Sequence, residues 1–162
     1  MKTLYLVRHA KSSWNFNELN DHDRPLSNRG RRDVRKMAMV LCKNVKAPEQ
    51  IMSSTASRAF YTALFMADHW GLSESQIDLH RTLFHADPLE ILTLLRKFAT
   101  YEVVAVFGHN PGFTDLANLF SNHYIENLPT CSAIGFNINI KHWSALTTQK
   151  AEPLFYYTPK NS

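Results

Sequence analysis

The run Glu102-Val103-Val104-Ala105-Val106-Phe107 constrains this chain more than any other stretch. An unbroken β-branched and apolar run belongs to a strand covered on both faces, which means the middle of a parallel sheet. Thr3-Leu4-Tyr5-Leu6-Val7 has the same character, while Gln50–Ser54 and Ile77–His80 read as shorter strands. Helical patterns lie between them. Ser27 caps a helix predicted to reach about Lys43, with Val34, Met37, Ala38 and Leu41 as its apolar stripe and Met37 and Met39 in the core. A second helix runs from Ser57 to Trp70, capped by Thr55 or Ser57 and stopped at Gly71. A third spans Pro88 to Ala99, with Asp87 as its cap and Leu89, Leu92 and Leu95 facing inward. Asn110 as cap and Pro111 as first residue open a fourth, to about Asn122. Strands alternating with helices predict an α/β three-layer sandwich, with a mostly parallel central sheet and helices on both faces. Ala133 to Ile140 alternates, as expected of a half-exposed strand that is antiparallel or near an edge. Pro153 keeps a last strand, Ala151–Tyr157, off the sheet centre.

Composition narrows the class. With 162 residues, 44% of them apolar, the chain suits one domain over 1–162, and we find neither repeats nor an interdomain linker. The net charge of +4 is spread along the chain, which favours anionic substrates. No nucleic-acid-binding motif is present, and the cluster Arg29-Gly30-Arg31-Arg32 with Arg35 and Lys36 reads as a solvated helix face. Cys42 and Cys131 read as small core residues and form neither a disulfide framework nor a zinc site. The N-terminal apolar run is broken by Arg8-His9, unlike a signal peptide, and no run is long enough for a membrane span; a cytoplasmic protein is expected.

Chemistry-bearing residues sit at the strand ends. Arg8 and His9 follow the first strand, Arg58 the second, and His109 the strongest. In open α/β sheets the ligand crevice lies at the carboxyl ends of the parallel strands, so these four should converge. Arg58 falls in the first turn of a helix, where a cation opposes the dipole unless an anion joins both. Two guanidiniums, two imidazoles and a helix N-terminus make a pocket for a dianion, and forked arginine donors match a phosphoryl group in transfer. His9, kept neutral by the nearby arginines, offers a nucleophilic ring nitrogen. A backbone carbonyl would fix its tautomer, and His109 would donate to a phosphoryl oxygen, preferably as the charged form. Crowding cations, with no carboxylate or cysteine to complete a ligand set, argue against a metal. Neither a Gly-x-x-x-x-Gly-Lys loop nor a Cys-x5-Arg loop is present.

Several short motifs carry a resemblance. Arg8-His9-Ala10 extends through Ser12, Trp14 and Asn15; then come Asp23-Arg24-Pro25-Leu26, Arg29-Gly30, Ser54 to Arg58 with Thr62, and His109-Asn110-Pro111-Gly112. In this order and spacing, over about residues 2–143, they resemble the histidine phosphatase superfamily and its short SixA-like phosphohistidine phosphatase branch. The resemblance implies a phosphoglycerate mutase-like fold without a large cap insertion, and no cofactor or metal. His9 would be the phosphorylated nucleophile, with Arg8, Arg58 and His109 completing the pocket. Arg24 and, more weakly, Asn15 would line it. Two departures stand out: Ala10 replaces the family's Gly, and the Glu that protonates the leaving group in many relatives is missing from Leu83-Phe84-His85-Ala86-Asp87. His85 or Asp87 could substitute, although Asp87 reads more simply as a helix cap and His85 as a surface residue. The expected activity is a metal-independent phosphatase acting through a covalent phosphohistidine intermediate on protein phosphohistidine, and the expected partner is a phosphorylated protein or, for the first rival below, a small phosphorylated substrate. The rivals are a small-molecule phosphomonoesterase and a noncatalytic phosphate-binding module. A monomer is expected.

Overall fold

A computed structural model describes residues 1–162. Its strands are β1 (Lys2–Arg8), β2 (Gln50–Ser54), β3 (Ile77–His80), β4 (Val103–Gly108), β5 (Ala133–Ile138) and β6 (Glu152–Tyr157). They form one sheet in the order β3-β2-β4-β1-β5-β6. The first four in that order pair in parallel, whereas β5 runs antiparallel to both β1 and β6. β4 and β1, the two most apolar runs, occupy the centre, as their sequence requires.

Alternate residues of each central strand feed two separate cores. Leu4 and Leu6 of β1, with Val104 and Val106 of β4, face a core shared with α3 (Pro88–Phe98) and α4 (Gly112–Phe120). Tyr5 and Val7, with Ala105 and Phe107, face a core shared with α1 (Asn28–Asn44) and α2 (Ser57–His69). Two helices thus cover each face, giving the three layers.

Local chemistry places most element boundaries. The Ser27 side chain accepts the Gly30 N–H and caps α1. Asp87 accepts the Glu90 N–H, and the Glu90 carboxylate accepts the Asp87 N–H, closing a capping box before α3. Elsewhere the structure corrects the expectations. Ala56 precedes α2 without a side-chain cap, so neither Thr55 nor Ser57 serves; the Ala56 N–H goes to Ser54 Oγ instead. Pro111 precedes α4, and the Asn110 side-chain amide is spent on Asn127 Oδ1 and the Leu128 carbonyl. β5 is buried along nearly its whole length, because β6 covers its outer edge and helices cover its faces. Met39 and Leu89 are exposed on the outer sides of α1 and α3. Cys42 is exposed as well, with Sγ directed at the His69 carbonyl, and only Cys131 lies in the core. The basic side chains of α1 are solvated as expected, and β6 is an edge strand.

Gly30 brings α1 hard against the chain leaving β1. A Cβ built there would sit 2.1 Å from the Lys11 carbonyl oxygen, a backbone atom that cannot swing aside. Gly30→Ala is expected to cost about 1–3 kcal/mol, the usual range for overpacking. The check is urea unfolding, where the midpoint should fall with little change in slope.

Candidate active site

The parallel register brings the strand ends level. Arg8 lies opposite Gly108, Ser53 opposite Phe107, and Ser54 opposite His80. His9, His109 and the start of α2 therefore meet at one edge of the sheet, with the two histidine ring centroids 5.1 Å apart. The end of β1 is stitched in place: the His9 N–H bonds the Gly108 carbonyl, and the Cys131 N–H bonds the carbonyls of both Arg8 and His9. The Ala10 N–H bonds Thr62 Oγ1, whose hydroxyl bonds the Arg58 carbonyl, so the His9 segment and the first turn of α2 are coupled.

His9 is buried, and its Nδ1 lies 2.7 Å from the Ala10 carbonyl oxygen. A carbonyl only accepts, so Nδ1 carries the proton and Nε2 keeps a free lone pair. Burial is the largest influence on this ring. Together with the charges of Arg58, Arg8 and Arg24 it outweighs the Ala10 hydrogen bond and lowers the pKa to about 3. The arginines thus help to keep His9 neutral, as expected, but desolvation does more. His109 is buried too, with Nε2 2.8 Å from Ser54 Oγ. Burial, then His9, Arg58 and His85, push it down to about 2 against the opposing charge of Asp21. These influences favour a neutral His109 over the charged form expected from the sequence, because desolvation and surrounding cations disfavour a further positive charge.

The guanidiniums are held by their outer nitrogens. Arg8 Nη1 donates to the Leu128 carbonyl at 2.6 Å. Arg58 Nη1 donates to the Asp21 carbonyl, and its Nη2 to Asp21 Oδ2 at 3.1 Å. Burial lowers the pKa of both arginines; for Arg8 the Arg58 charge adds to this, and for Arg58 the Asp21 carboxylate opposes it. What remains is telling. Arg8 Nε, Arg58 Nε and His109 Nδ1 are all buried without any hydrogen-bond partner. Buried polar nitrogens of this kind are rarely left unmatched, and here three belong to one cluster.

Arg24 joins the site. Its Nε and Nη2 bond Asp21 Oδ1, its Nη1 bonds the Ser13 carbonyl, and its guanidinium lies 3.4 Å from the centroid of the Trp14 ring. His85 also lies alongside, its ring centroid 6.1 Å from that of His109 and its Nε2 3.5 Å from Asp21 Oδ2. Asp87, by contrast, is committed to capping α3, and Asn15 is exposed in the loop with its backbone N–H on Ser13 Oγ.

Two contributors escaped the sequence reading. Asp21, on a short turn (Asp21–Asp23) capped by Asn20, is the anion that joins Arg58 at the N-terminus of α2. Partial burial works to raise its pKa, but the hydrogen bond from Arg24 and the charge and hydrogen bond of Arg58 hold it below the usual range. The clue was Arg58 itself, whose position demanded a negative partner. Phe84 is the other: its ring packs against His22, His85 and His109, with the Arg58 guanidinium 5.8 Å from its centroid. No periodicity distinguishes it from a core residue.

Known proteins resemble this chain in sequence and in fold. The model of the histidine phosphatase superfamily (branch 1) matches residues 4–83. An uncharacterised chloroplast protein of Arabidopsis thaliana is 32% identical over 141 residues, covering 82% of this chain; the chain spans 64% of that relative's length. A SixA protein of Agrobacterium tumefaciens superposes with a TM-score of 0.83 at 21% identity, covering 98% of both chains. The protein histidine phosphatase SixA complexed with tungstate gives a TM-score of 0.80 at 20% identity, again over 98% of both chains.

Two buried neutral histidines make stability depend on pH. Both folded pKa values lie below the ordinary 6.5, at about 3 and about 2, so the unfolded chain binds more protons in between. Stability contributed by their neutral burial is present above 6.5 and is lost as pH falls toward 3. Unfolding across that range should show the loss, and His9→Asn or His109→Asn should flatten the slope.

Proposed function

We propose that this chain, whose residues 4–83 match the model of the histidine phosphatase superfamily (branch 1), is a phosphatase that works through a covalent phosphohistidine at His9, with protein phosphohistidine as its substrate. One observation carries this reading: three buried, unpartnered nitrogens, Arg8 Nε, Arg58 Nε and His109 Nδ1, accompany a histidine whose free nitrogen is Nε2. They match a phosphoryl group, which presents three equatorial oxygens to donors and a phosphorus atom to a nucleophile.

In the proposed reaction His9 Nε2 attacks phosphorus, the N–P bond forms, and the bond to the leaving group breaks. The Arg8 and Arg58 guanidiniums neutralise the developing charge, so the reaction needs no metal for that purpose. Water then attacks the phosphorus, the N–P bond breaks, and the electron pair returns to Nε2. The water's second proton leaves with the phosphate or to solvent. His9 serves as nucleophile because its Nδ1 proton is held by Ala10.

Two features favour a phosphoramidate carried on a protein. First, no Glu occupies residues 81–87, and Asp87 is engaged at α3, which leaves exposed His85 as the only candidate acid in that link. An imidazole leaving group that already carries a proton needs less acid help than an alkoxide. Second, that link is short, and Trp14, Phe16 and Leu19 are exposed on the loop that carries Arg24's stacking partner. Exposed aromatic and apolar side chains beside an open site suit a macromolecular surface.

A labelled phosphoramidate, quenched in base, should leave acid-labile phosphate on the chain. His9→Ala should abolish label and turnover, while His109→Ala should lower kcat roughly 100- to 1000-fold, as removal of a transition-state donor does. Among phosphoramidate, aryl phosphate and sugar phosphate, kcat/KM should be highest for the first. Phosphate binding without hydrolysis, retained in His9→Ala, would instead indicate a binding module. Activity lost to EDTA would overturn the metal-independent reading.

A further inference from the structure

We propose that Ser54 is a positioning residue that fixes His109 as the neutral Nδ1–H tautomer, so that His109 offers a bound phosphoryl group a hydrogen bond rather than a proton. The part about the phosphoryl group rests on the function proposed above; the part about the tautomer stands on the hydrogen bonds alone.

Ser54 is the last residue of β2 and is completely buried. Its Oγ has two partners, the Ala56 backbone N–H at 3.2 Å and His109 Nε2 at 2.8 Å. An amide N–H can only donate, so Oγ accepts there. The hydroxyl proton then has one place to go, the Nε2 lone pair of His109. A ring nitrogen that accepts carries no proton, and the proton of the neutral imidazole must sit on Nδ1. That atom is buried and has no partner within the protein, so it is a donor waiting for an acceptor from outside.

The alternatives fail on the same count. If Nε2 donated to Ser54, the buried hydroxyl proton would have no acceptor. Nδ1 would then present a lone pair where an anion is to bind. An imidazolium would strand the hydroxyl proton in the same way. The charged and titratable groups around the ring also oppose a second proton: His9, Arg58 and His85 disfavour it, and only Asp21 favours it. Phe84, packed edge-on to the ring, gives it no polar partner.

His9 and His109 thus share one tautomer but present opposite nitrogens. His9 hides Nδ1–H against Ala10 and presents a bare Nε2. His109 hides Nε2 against Ser54 and presents Nδ1–H. A histidine held in this way steadies an oxygen without protonating a leaving group. The leaving group's proton must come with the substrate, from another residue or from solvent, which agrees with a protonated imidazole as the group released.

Long-range proton–nitrogen NMR correlations read this directly in the wild-type protein, with His109→Asn supplying the assignment. The expected result is an unprotonated Nε2 and a protonated Nδ1, in the free protein and with saturating inorganic phosphate. A protonated His109 Nε2 in either state overturns the proposal. Ser54→Ala should shift His109 toward the other tautomer and lower kcat about tenfold, the worth of one hydrogen bond, with little change in KM. Ser54→Thr, which keeps the hydroxyl, should restore both. A wild-type tautomer together with wild-type kcat in Ser54→Ala also overturns it. Phosphate labelling of His9 is scored separately. If labelling fails while the tautomer is as expected, the covalent reading falls and the role of Ser54 in holding the ring stands.

Discussion

The site depends on parallel strand pairing at the centre of the sheet. Because β1, β4 and β2 run the same way, their carboxyl ends reach one edge together, and Arg8 comes level with Gly108. Residues a hundred positions apart become neighbours through backbone hydrogen bonds, before any side chain contributes. The His9 N–H on the Gly108 carbonyl and the Cys131 N–H on the Arg8 and His9 carbonyls then fix where the imidazole begins. A scaffold of this kind holds its functional groups more tightly than a loop would, because Arg8, His9 and His109 lie on or next to a buried strand and Arg58 sits in the first turn of α2.

Around that edge the protein assembles groups that would repel one another if all were charged. Arginine keeps its charge in proteins, and beside Arg8 and Arg58 the two histidines yield by remaining neutral. Burial does most of this, since removing an imidazole from water disfavours its charged form even without a neighbour. The same burial strengthens every donor aimed at an incoming anion, because little water remains to screen it. Asp21 relieves the crowding from the side, taking the outer nitrogens of Arg58 and the fork of Arg24 while Arg58 Nε stays unpaired.

Much of the framework was legible in the chain. The apolar runs named β1 and β4 as central, Ser27 and Asp87 marked the starts of α1 and α3, and Pro153 placed β6 at an edge. Arg8, His9, Arg58 and His109 were legible as one cluster because each follows a strand. Other features were hidden for physical reasons. Asn110 has the composition of a cap, but its amide finds partners in Asn127 and Leu128, far away along the chain. β5 alternates like a half-exposed strand, yet β6 and the helices cover it. Asp21 lies in a polar loop where nothing local separates a functional carboxylate from a solvated one.

The sequence by itself determined the α/β layering, the central strands and the identity of the groups at their ends, because hydrophobic period and strand-end position are local properties of the chain. Tertiary structure decided the protonation of those groups and their partners. Neutral His109, the Ala10 carbonyl on His9, the Ser54 hydroxyl and the Asp21 carboxylate all depend on how much water is excluded and on which distant atom comes within three ångströms or so. Desolvation and hydrogen-bond geometry are properties of the packed molecule, and no short stretch of residues encodes them.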